Sequence, residues 1–396
     1  MGEAATTIEL DTLLLIVSIS VMASLVTNLA PRLRIPQIVL LIVGGVLIGP
    51  HVLNLGAPRD VQLLADVGLG FVFLLAGYEV DLRLFRQDPG RRAIGAWLFS
   101  ALVAMVIADL LELTHFTHTL VPIAVGLTTT ALGTLLPVLH ESGMLEGKLG
   151  QHLLAAGAVG ELLPVLVIAV FLGVQNRFVA LLSLAAVAVL AVLLALGRRL
   201  IRPESRVVAA ILAGQHATTQ TTLRATLLLL IVLLAVTNRF HLDAVLGAFL
   251  AGLVLRHWAG PSAPNLEPKL EAVAYGFFVP VFFVYTGMAL NLPAIAAAPA
   301  RMLVFFTLLV LAHAIPVLLL YQRVLTPRER VETILVTSTS LPLLVALAEI
   351  GVRNQTLEPA NAAAMVGAGV LSVLVFPTLA VTVHQRGRPR RGAGSD

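Results

Sequence analysis

Apolar runs of about 20 residues recur from one end of this chain to the other, and that single feature decides its solvent. A helix needs roughly 20 such residues to cross a hydrocarbon core of ~30 Å. Lipid offers no partner to backbone N–H and C=O groups, so the runs must satisfy their own by being helical. Composition agrees: 58% of the 396 residues are hydrophobic and 12% charged, about half the ~25% charge of soluble domains. Mean hydropathy is +0.95. The expected fold class is an all-α polytopic membrane protein of about 13 transmembrane helices. They are placed over 10–30, 35–54, 62–82, 93–113, 117–139, 149–173, 178–197, 222–239, 241–256, 268–290, 301–322, 330–352 and 361–384. Connections are short except 198–221, Arg-rich and then Ala/Thr/Gln-rich, which is expected at the membrane interface.

Orientation follows from Lys and Arg. Of 26, five fall on the side of the N-terminus (Arg59, Arg177, Arg239, Arg301 and Arg353), leaving 21 in the alternate loops and the tail RGRPRR. Cytoplasmic loops carry that excess, so the N-terminus is expected outside and the basic tail, 385–396, inside a bacterial cytoplasmic membrane. The tail is suited to anionic membrane lipid. The formal charge of +4 and pI near 9.9 are thus a topology signal, and no nucleic-acid partner is expected. With no Cys there is no disulfide framework, thiol nucleophile or Cys-ligated metal. The acidic start MGEAATTIELD lacks the basic region of a signal peptide. Its match to the myristoylation pattern carries little weight in a chain anchored by so many helices. GxSxG and HExxH are both missing, so the chain is expected not to be an enzyme, and no cofactor or resident metal is expected.

The chain then repeats itself. GGVLIG at 44–49 matches GAFLAG at 247–252, an offset of 203 (44 to 247). FLLAGYEVDL at 73–82 matches FVYTGMALNL at 283–292, and TTTAL at 128–132 matches STSLP at 338–342, both at an offset of 210. Ordered matches at nearly constant offset point to a duplicated five-helix unit, spans 2–6 and 9–13. Seven spans separate equivalent helices, an odd number, so the repeats are inverted, as in many secondary transporters. Repeat 1 is expected over about 33–173, linker helices over 178–239 and repeat 2 over 240–384.

The third matched pair bears chemistry. Thr128, Thr129 and Thr130 in one repeat and Ser338, Thr339 and Ser340 in the other put three hydroxyls at mid-span, with Pro342 and, a little later in the first copy, Pro137. Hydroxyls can stand in for lost backbone partners where a helix unwinds. Two broken helices crossing at the midplane would aim partial charges at one point, as transporters do for ions. The competing reading is a continuous helix bent by hydroxyls bonding back to preceding carbonyls.

Glu161 sits in the uncharged stretch AAGAVGELLPVL, midway through the next span. A mid-bilayer carboxylate is costly and by default functional. Its repeat equivalent is Leu371, so the architecture does not require the acid. Burial favours a carboxylate neutralised by a proton or by a cation, and one site holding either in turn is what a proton/cation exchanger needs. Asp66 ranks next as a secondary site; Asp109, Glu349, Glu79, Asp81 and Asp243 rank below it.

PQIVLLIVGGVLIGP, FLLAGYEVDL, GLTTTALG, LGAFLAGLVL and FFVYTGMAL, in this order, resemble the recurrent segments of the monovalent cation/proton antiporters, the sodium/proton exchangers and Kef-type potassium efflux systems. The likeness covers nearly the whole chain. It implies a dimerisation scaffold, hence a homodimer, and a mobile core with two crossed broken helices. It implies exchange of Na+ or K+ for H+, with the family's ion-binding aspartate falling at Glu161 and Thr129 lining the crossing. Two departures stand out. Gly160-Glu161 replaces the usual Asp preceded by Asp, Asn or Gln, and His313 stands where many members place a Lys partner to the acid. His titrates near pH 6.5 when unperturbed, so His313 is the candidate proton partner of Glu161. The alternatives are the same fold moving another solute by sodium or proton coupling, or a Kef-like potassium efflux pathway, whose nucleotide-binding domain has no counterpart in this sequence.

Overall fold

The structure, a computed structural model, describes residues 2–29, 36–80, 83–114, 119–171, 185, 189–193, 220–239, 244–259, 266–290, 292–297 and 299–386. Apart from 185 and 189–193, the expected span 178–197 lies outside the described residues. So do 198–219, Arg177, Asp81, Asp243 and the tail from 387.

In chain order the principal helices are α1 (Gly2–Leu29), α2 (Gln37–Ile48), α3 (Gln62–Glu79), α4 (Asp88–Leu113), α5 (Leu120–Leu127), α6 (Leu132–Glu141) and α7 (Gly147–Phe171). They continue as α8 (Thr221–Arg239), α9 (Ala244–Ala259), α10 (Leu266–Ala289), α11 (Pro299–Leu320), α12 (Pro327–Thr337), α13 (Pro342–Arg353) and α14 (Pro359–Arg386). Each expected span other than 178–197 is thereby met by a helix or by a pair of half-helices. Eight described segments are long and apolar enough to cross a membrane, and α2, α8 and α9 are shorter apolar helices. Among the described residues there is no strand.

The helices form two compact units, each drawing on both repeats. One holds α1–α3 and α8–α10 together with 350–356; the other holds α4–α6, α7 up to Pro164, and α11–α14 apart from 350–356. The first two helices of each repeat fall in the first unit and the last three in the second.

In the first unit, glycines let backbones touch, as small residues do in membrane bundles. A Cβ on Gly77 of α3 would strike the Phe249 carbonyl of α9, and one on Gly287 of α10 would strike the Ile42 carbonyl of α2. Gly252 returns the contact against the Leu74 carbonyl and Gly45 against the Val284 carbonyl. Gly77 and Gly287 are equivalents at the offset of 210 (77 to 287). Each repeat therefore seats the glycine of its second helix on the first helix of the other repeat. Within α10, residues Ala274–Phe278 form a π-helical turn; Gly68 lies against the Phe278 carbonyl, and Phe71 stacks on the Phe278 ring at 4.8 Å.

In the second unit, α4 shows how a lipid-facing helix sorts its residues. Ala93, Ala96, Ser100, Ala104 and Ala108 are buried, while Leu98, Leu102, Val106, Leu110 and Leu113 are exposed. Small residues at helical spacing face protein and large apolar ones face outward, the reverse of a water-soluble helix. The sequence TPRE starts α12 with a capping box: the Thr326 N–H donates to Glu329 Oε2 at 2.8 Å, and the Glu329 N–H donates to Thr326 Oγ1 at 3.3 Å. One turn later Glu332, 1% exposed, joins α12 to α14. Its Oε2 lies 2.9 Å from His384 Nδ1 and its Oε1 lies 3.0 Å from Arg328 Nε, although the Arg328 Nε–H itself points to the Val383 carbonyl at 3.0 Å.

Candidate functional site

Both hydroxyl runs fall at true helix breaks in the second unit. α5 ends at Leu127 and α6 begins at Leu132; α12 ends at Thr337 and α13 begins at Pro342. The two breaks are equivalent at both ends, each displaced by 210 residues (127 to 337, 132 to 342). Hydroxyls that would bend a continuous helix here cap the severed ends. Thr128 Oγ1 donates to the Val125 carbonyl at 2.8 Å and Thr129 Oγ1 to the Gly126 carbonyl at 2.7 Å, while Thr339 Oγ1 donates to the Leu335 carbonyl at 2.9 Å. Pro342 opens its half-helix as expected. Pro137 lies inside α6 and not at its start.

The breaks satisfy each other. The Ala131 N–H donates to the Thr339 carbonyl at 2.8 Å, and Thr130 Oγ1 donates to the Thr337 carbonyl at 2.8 Å. Thr129 Oγ1 and Ser340 Oγ are in hydrogen-bond contact. The Thr129 proton is already given to Gly126, so Ser340 is the donor in that pair. All six residues of the two runs are at most 1% exposed. An unmade bond there would cost about 1–3 kcal/mol, so mutual pairing is what makes two interrupted helices tolerable at this depth.

The neighbouring helices supply the rest. Pro164 has no N–H and so frees the carbonyl four residues back in α7. That carbonyl, Gly160, accepts the Thr130 N–H at 3.1 Å. In the second copy the equivalent N–H, Ser340, is taken by a hydroxyl instead: Ser372 Oγ of α14, at 3.1 Å. Trp97 of α4 donates its indole N–H to the Thr128 carbonyl at 3.2 Å. Reading the sequence missed Pro164, Ser372 and Trp97. Their signals are a proline four residues past a glycine, a serine beside the equivalent of Glu161, and a mid-span Trp, whose N–H seeks a partner when buried.

Glu161, 8% exposed, follows the glycine that receives Thr130, so its backbone stands one residue from a contact with the first break. Gly160 is there because Thr130 packs on it: an added Cβ would lie 2.5 Å from Thr130 Oγ1 and 2.7 Å from Thr130 Cβ. Ser338 Oγ, fully buried, has no hydrogen-bond partner in the protein. His313 of α11 is buried, with Nδ1 2.9 Å from the Leu309 carbonyl. Its ring lies against the Thr128 carbonyl, and Nε2 completes no hydrogen bond. Asp66 belongs to the other unit, where it is half exposed and pairs with Arg353 at 3.8 Å. Among the described residues no cluster of three His, Cys, Asp or Glu side chains could hold a resident metal. The crossing offers instead hydroxyl and carbonyl oxygens and the C-terminal ends of two half-helices, which carry partial negative charge.

The family model described as sodium/hydrogen exchanger, transmembrane, matches residues 17–383. YjbQ of Bacillus subtilis, carried under the name of a Na(+)/H(+) antiporter, is 27% identical over 388 residues, covering 90% of this chain and 60% of that protein. Na(+)/H(+) antiporter 3 of Methanocaldococcus jannaschii is 28% identical over 280 residues, 68% of this chain and 70% of the relative. Cation/H(+) antiporter 18 of Arabidopsis thaliana is 25% identical over 307 residues, 72% of this chain and 38% of the relative. The chain thus spans 60% and 38% of the length of two of these relatives. The solved structure of the sodium proton antiporter MjNhaP1 from Methanocaldococcus jannaschii shares the fold, with a TM-score of 0.65 at 20% identity over 96% of this chain and 99% of that one.

Proposed function

We propose that this chain, which belongs to the transmembrane sodium/hydrogen exchanger family, exchanges a monovalent cation, Na+ or K+, for H+ by alternating access. The observation that carries the reading is the pairing of two equivalent helix breaks, one of them held by the residue that precedes the buried Glu161. The names of the relatives, Na(+)/H(+) and cation/H(+) antiporters, support the same substrates. Glu161 binds H+ or the cation, one displacing the other. Thr128, Thr129, Thr130, Ser338, Thr339 and Ser340 line the crossing, and Ser338, whose hydroxyl no protein group engages, is the oxygen best placed to coordinate. His313 is a proton partner and Asp66 a secondary site. The second unit is the ion-carrying core and the first the scaffold of a homodimer. The Lys and Arg distribution supports an outside N-terminus and an inside C-terminus in a bacterial cytoplasmic membrane.

The test is purified protein in liposomes loaded with a pH dye, challenged with Na+, Li+, K+ and Rb+. Cation addition releases protons in the wild type. Glu161→Gln abolishes the response while the protein still folds, and Glu161→Asp keeps part of it with an altered cation order. Exchange at the wild-type rate in Glu161→Gln would remove Glu161 from the mechanism.

A further inference from the structure

The carbonyls at the second break are not all held alike. The Thr339 carbonyl takes the Ala131 N–H at 2.8 Å and the Leu341 carbonyl the Val345 N–H at 2.9 Å. Those donors are backbone and cannot turn away. The Thr337 carbonyl takes the Thr130 hydroxyl at 2.8 Å. The Ser340 carbonyl takes the Ser372 hydroxyl of α14 at 3.0 Å, and the same hydroxyl oxygen stands 2.7 Å from the Gly369 carbonyl. It also accepts the Ser340 N–H at 3.1 Å. A serine hydroxyl has one proton and two lone pairs. Ser372 can therefore keep the Ser340 N–H throughout, but its proton serves one carbonyl at a time. Gly369 makes the approach possible, since a Cβ there would lie 2.9 Å from the Ser340 carbonyl oxygen. Ser340 and Ser372 are both fully buried, so bulk water does not take over when the proton turns.

The first break has no such joint. The Thr130 N–H is anchored on a backbone carbonyl, and the repeat equivalent of Ser372 is Leu162 (372 − 210). Glu161 in turn has Leu371 as its equivalent. The last helix of each repeat thus carries one polar side chain at this level, an acid in one copy and a hydroxyl in the other. We propose that Ser372 is a positioning residue for the transported cation, acting through the Ser340 carbonyl. With no cation bound, its proton goes to that carbonyl. A cation at the crossing takes the carbonyl oxygen, as unwound backbone does in transporters. The hydroxyl then turns to Gly369, inside α14. The Ser340 oxygen is thereby engaged in both states, which a buried acceptor requires. The assignment rests on the exchange reading and adds an oxygen ligand, and the residue that guards it, to the same site.

Removing the hydroxyl should tighten cation binding, the opposite of what damage to a site does. In Ser372→Ala the Ser340 N–H loses its acceptor in both states, and that loss cancels. The Ser340 carbonyl is stranded only while the cation is absent, whereas the Gly369 carbonyl keeps the N–H that a helix interior supplies. Titration calorimetry of the full-length protein in lipid nanodiscs uses Na+ and K+ in turn, at a pH where affinity no longer changes with pH. The dissociation constant is about tenfold lower in Ser372→Ala, the worth of roughly one hydrogen bond. In liposomes its KM and maximal rate fall together, because release is slowed. Ser372→Thr, which keeps the hydroxyl, returns both toward wild type. A further readout needs no change at Ser372. In wild-type protein carrying 13C-carbonyl serine, the infrared band of Ser340, identified by its loss in Ser340→Ala, shifts when the cation is added. Binding in Ser372→Ala equal to or weaker than wild type, or a Ser340 band unmoved by saturating cation, overturns the assignment and leaves the exchange reading standing. A wild type that binds neither cation and releases no protons fails the exchange reading, and the assignment with it.

Discussion

Adding one methyl group at Gly160 should damage the crossing, although alanine is the better helix former. The added Cβ would lie 2.5 Å from Thr130 Oγ1 and 2.7 Å from Thr130 Cβ, closer than real Cβ atoms come. Thr130 cannot step aside freely, because its N–H is held by the Gly160 carbonyl at 3.1 Å and its hydroxyl by the Thr337 carbonyl at 2.8 Å. Overpacking of this kind costs about 1–3 kcal/mol, and a stranded Thr337 carbonyl costs about 1–3 kcal/mol more. The gain from replacing glycine with alanine in a helix offsets roughly 1 kcal/mol, so Gly160→Ala should lose about 1–5 kcal/mol of unfolding free energy. Gly95→Ala is the control. That glycine lies in mid-α4 with nothing within 4 Å of an added Cβ, so the same chemical change there should stabilise by up to about 1 kcal/mol. Unfolding in bicelles by steric trapping measures both. A Thr130→Gly/Gly160→Ala cycle should show coupling of about 1–3 kcal/mol, as expected for residues in contact. Gly160→Ala as stable as Gly95→Ala would refute the close approach, and with it the explanation of why no second acid precedes Glu161.

Other consequences are separable by assay. Ser338→Ala should weaken apparent cation affinity about tenfold, a loss of ~1.4 kcal/mol, with stability unchanged because no protein group is stranded. Thr129→Val should weaken affinity and also lower stability by roughly 1–3 kcal/mol, because it removes the partner of Ser340 and uncaps Gly126; equal stability of the two variants would contradict the pairing. Exchange should be electroneutral, since Gly160 leaves one negative charge to be neutralised by one H+ or one cation. ΔpH-driven exchange of Na+ should then be indifferent to a potential set with potassium and valinomycin, and a steep voltage dependence that disappears in His313→Ala would instead assign a second proton to His313. Glu332→Ala should destabilise by about 2–3 kcal/mol, below the ~3–5 kcal/mol of a fully buried pair because Arg328 is 36% exposed and can reach water; unfolding in bicelles decides this as well.

The all-helical membrane class and the site of both breaks were legible in the sequence, because lipid leaves so few alternatives. A run of uncharged residues there must be a helix, and three hydroxyls at equivalent mid-span positions have few other uses. Glu161 stands out in the sequence for the same reason, as the one charge in its stretch. What could not be read is how the repeats intermingle. Gly77 against Phe249 and Gly287 against Ile42 are contacts between residues far apart in the chain, and a GxxxxG pattern says only that something comes close. Nor did local pattern disclose that Pro164 serves Thr130 by vacating the Gly160 carbonyl, or that a serine does that work in the second copy.

The mutual pairing of the two breaks also sets a schedule for biogenesis. Ala131 depends on Thr339, and Thr130 on Thr337. The partner of Ala131 is made 208 residues later (339 − 131), which at about 5–20 residues per second is roughly 10–40 s of synthesis. Through that interval the first interrupted helix carries exposed peptide groups that lipid will not accept. The ribosome must therefore hand the membrane an unfinished half, one that has to be sheltered by water, by the insertion machinery or by a chaperone until its counterpart arrives. A chain halted before Thr337 would have its first repeat complete in sequence and still no way to close it.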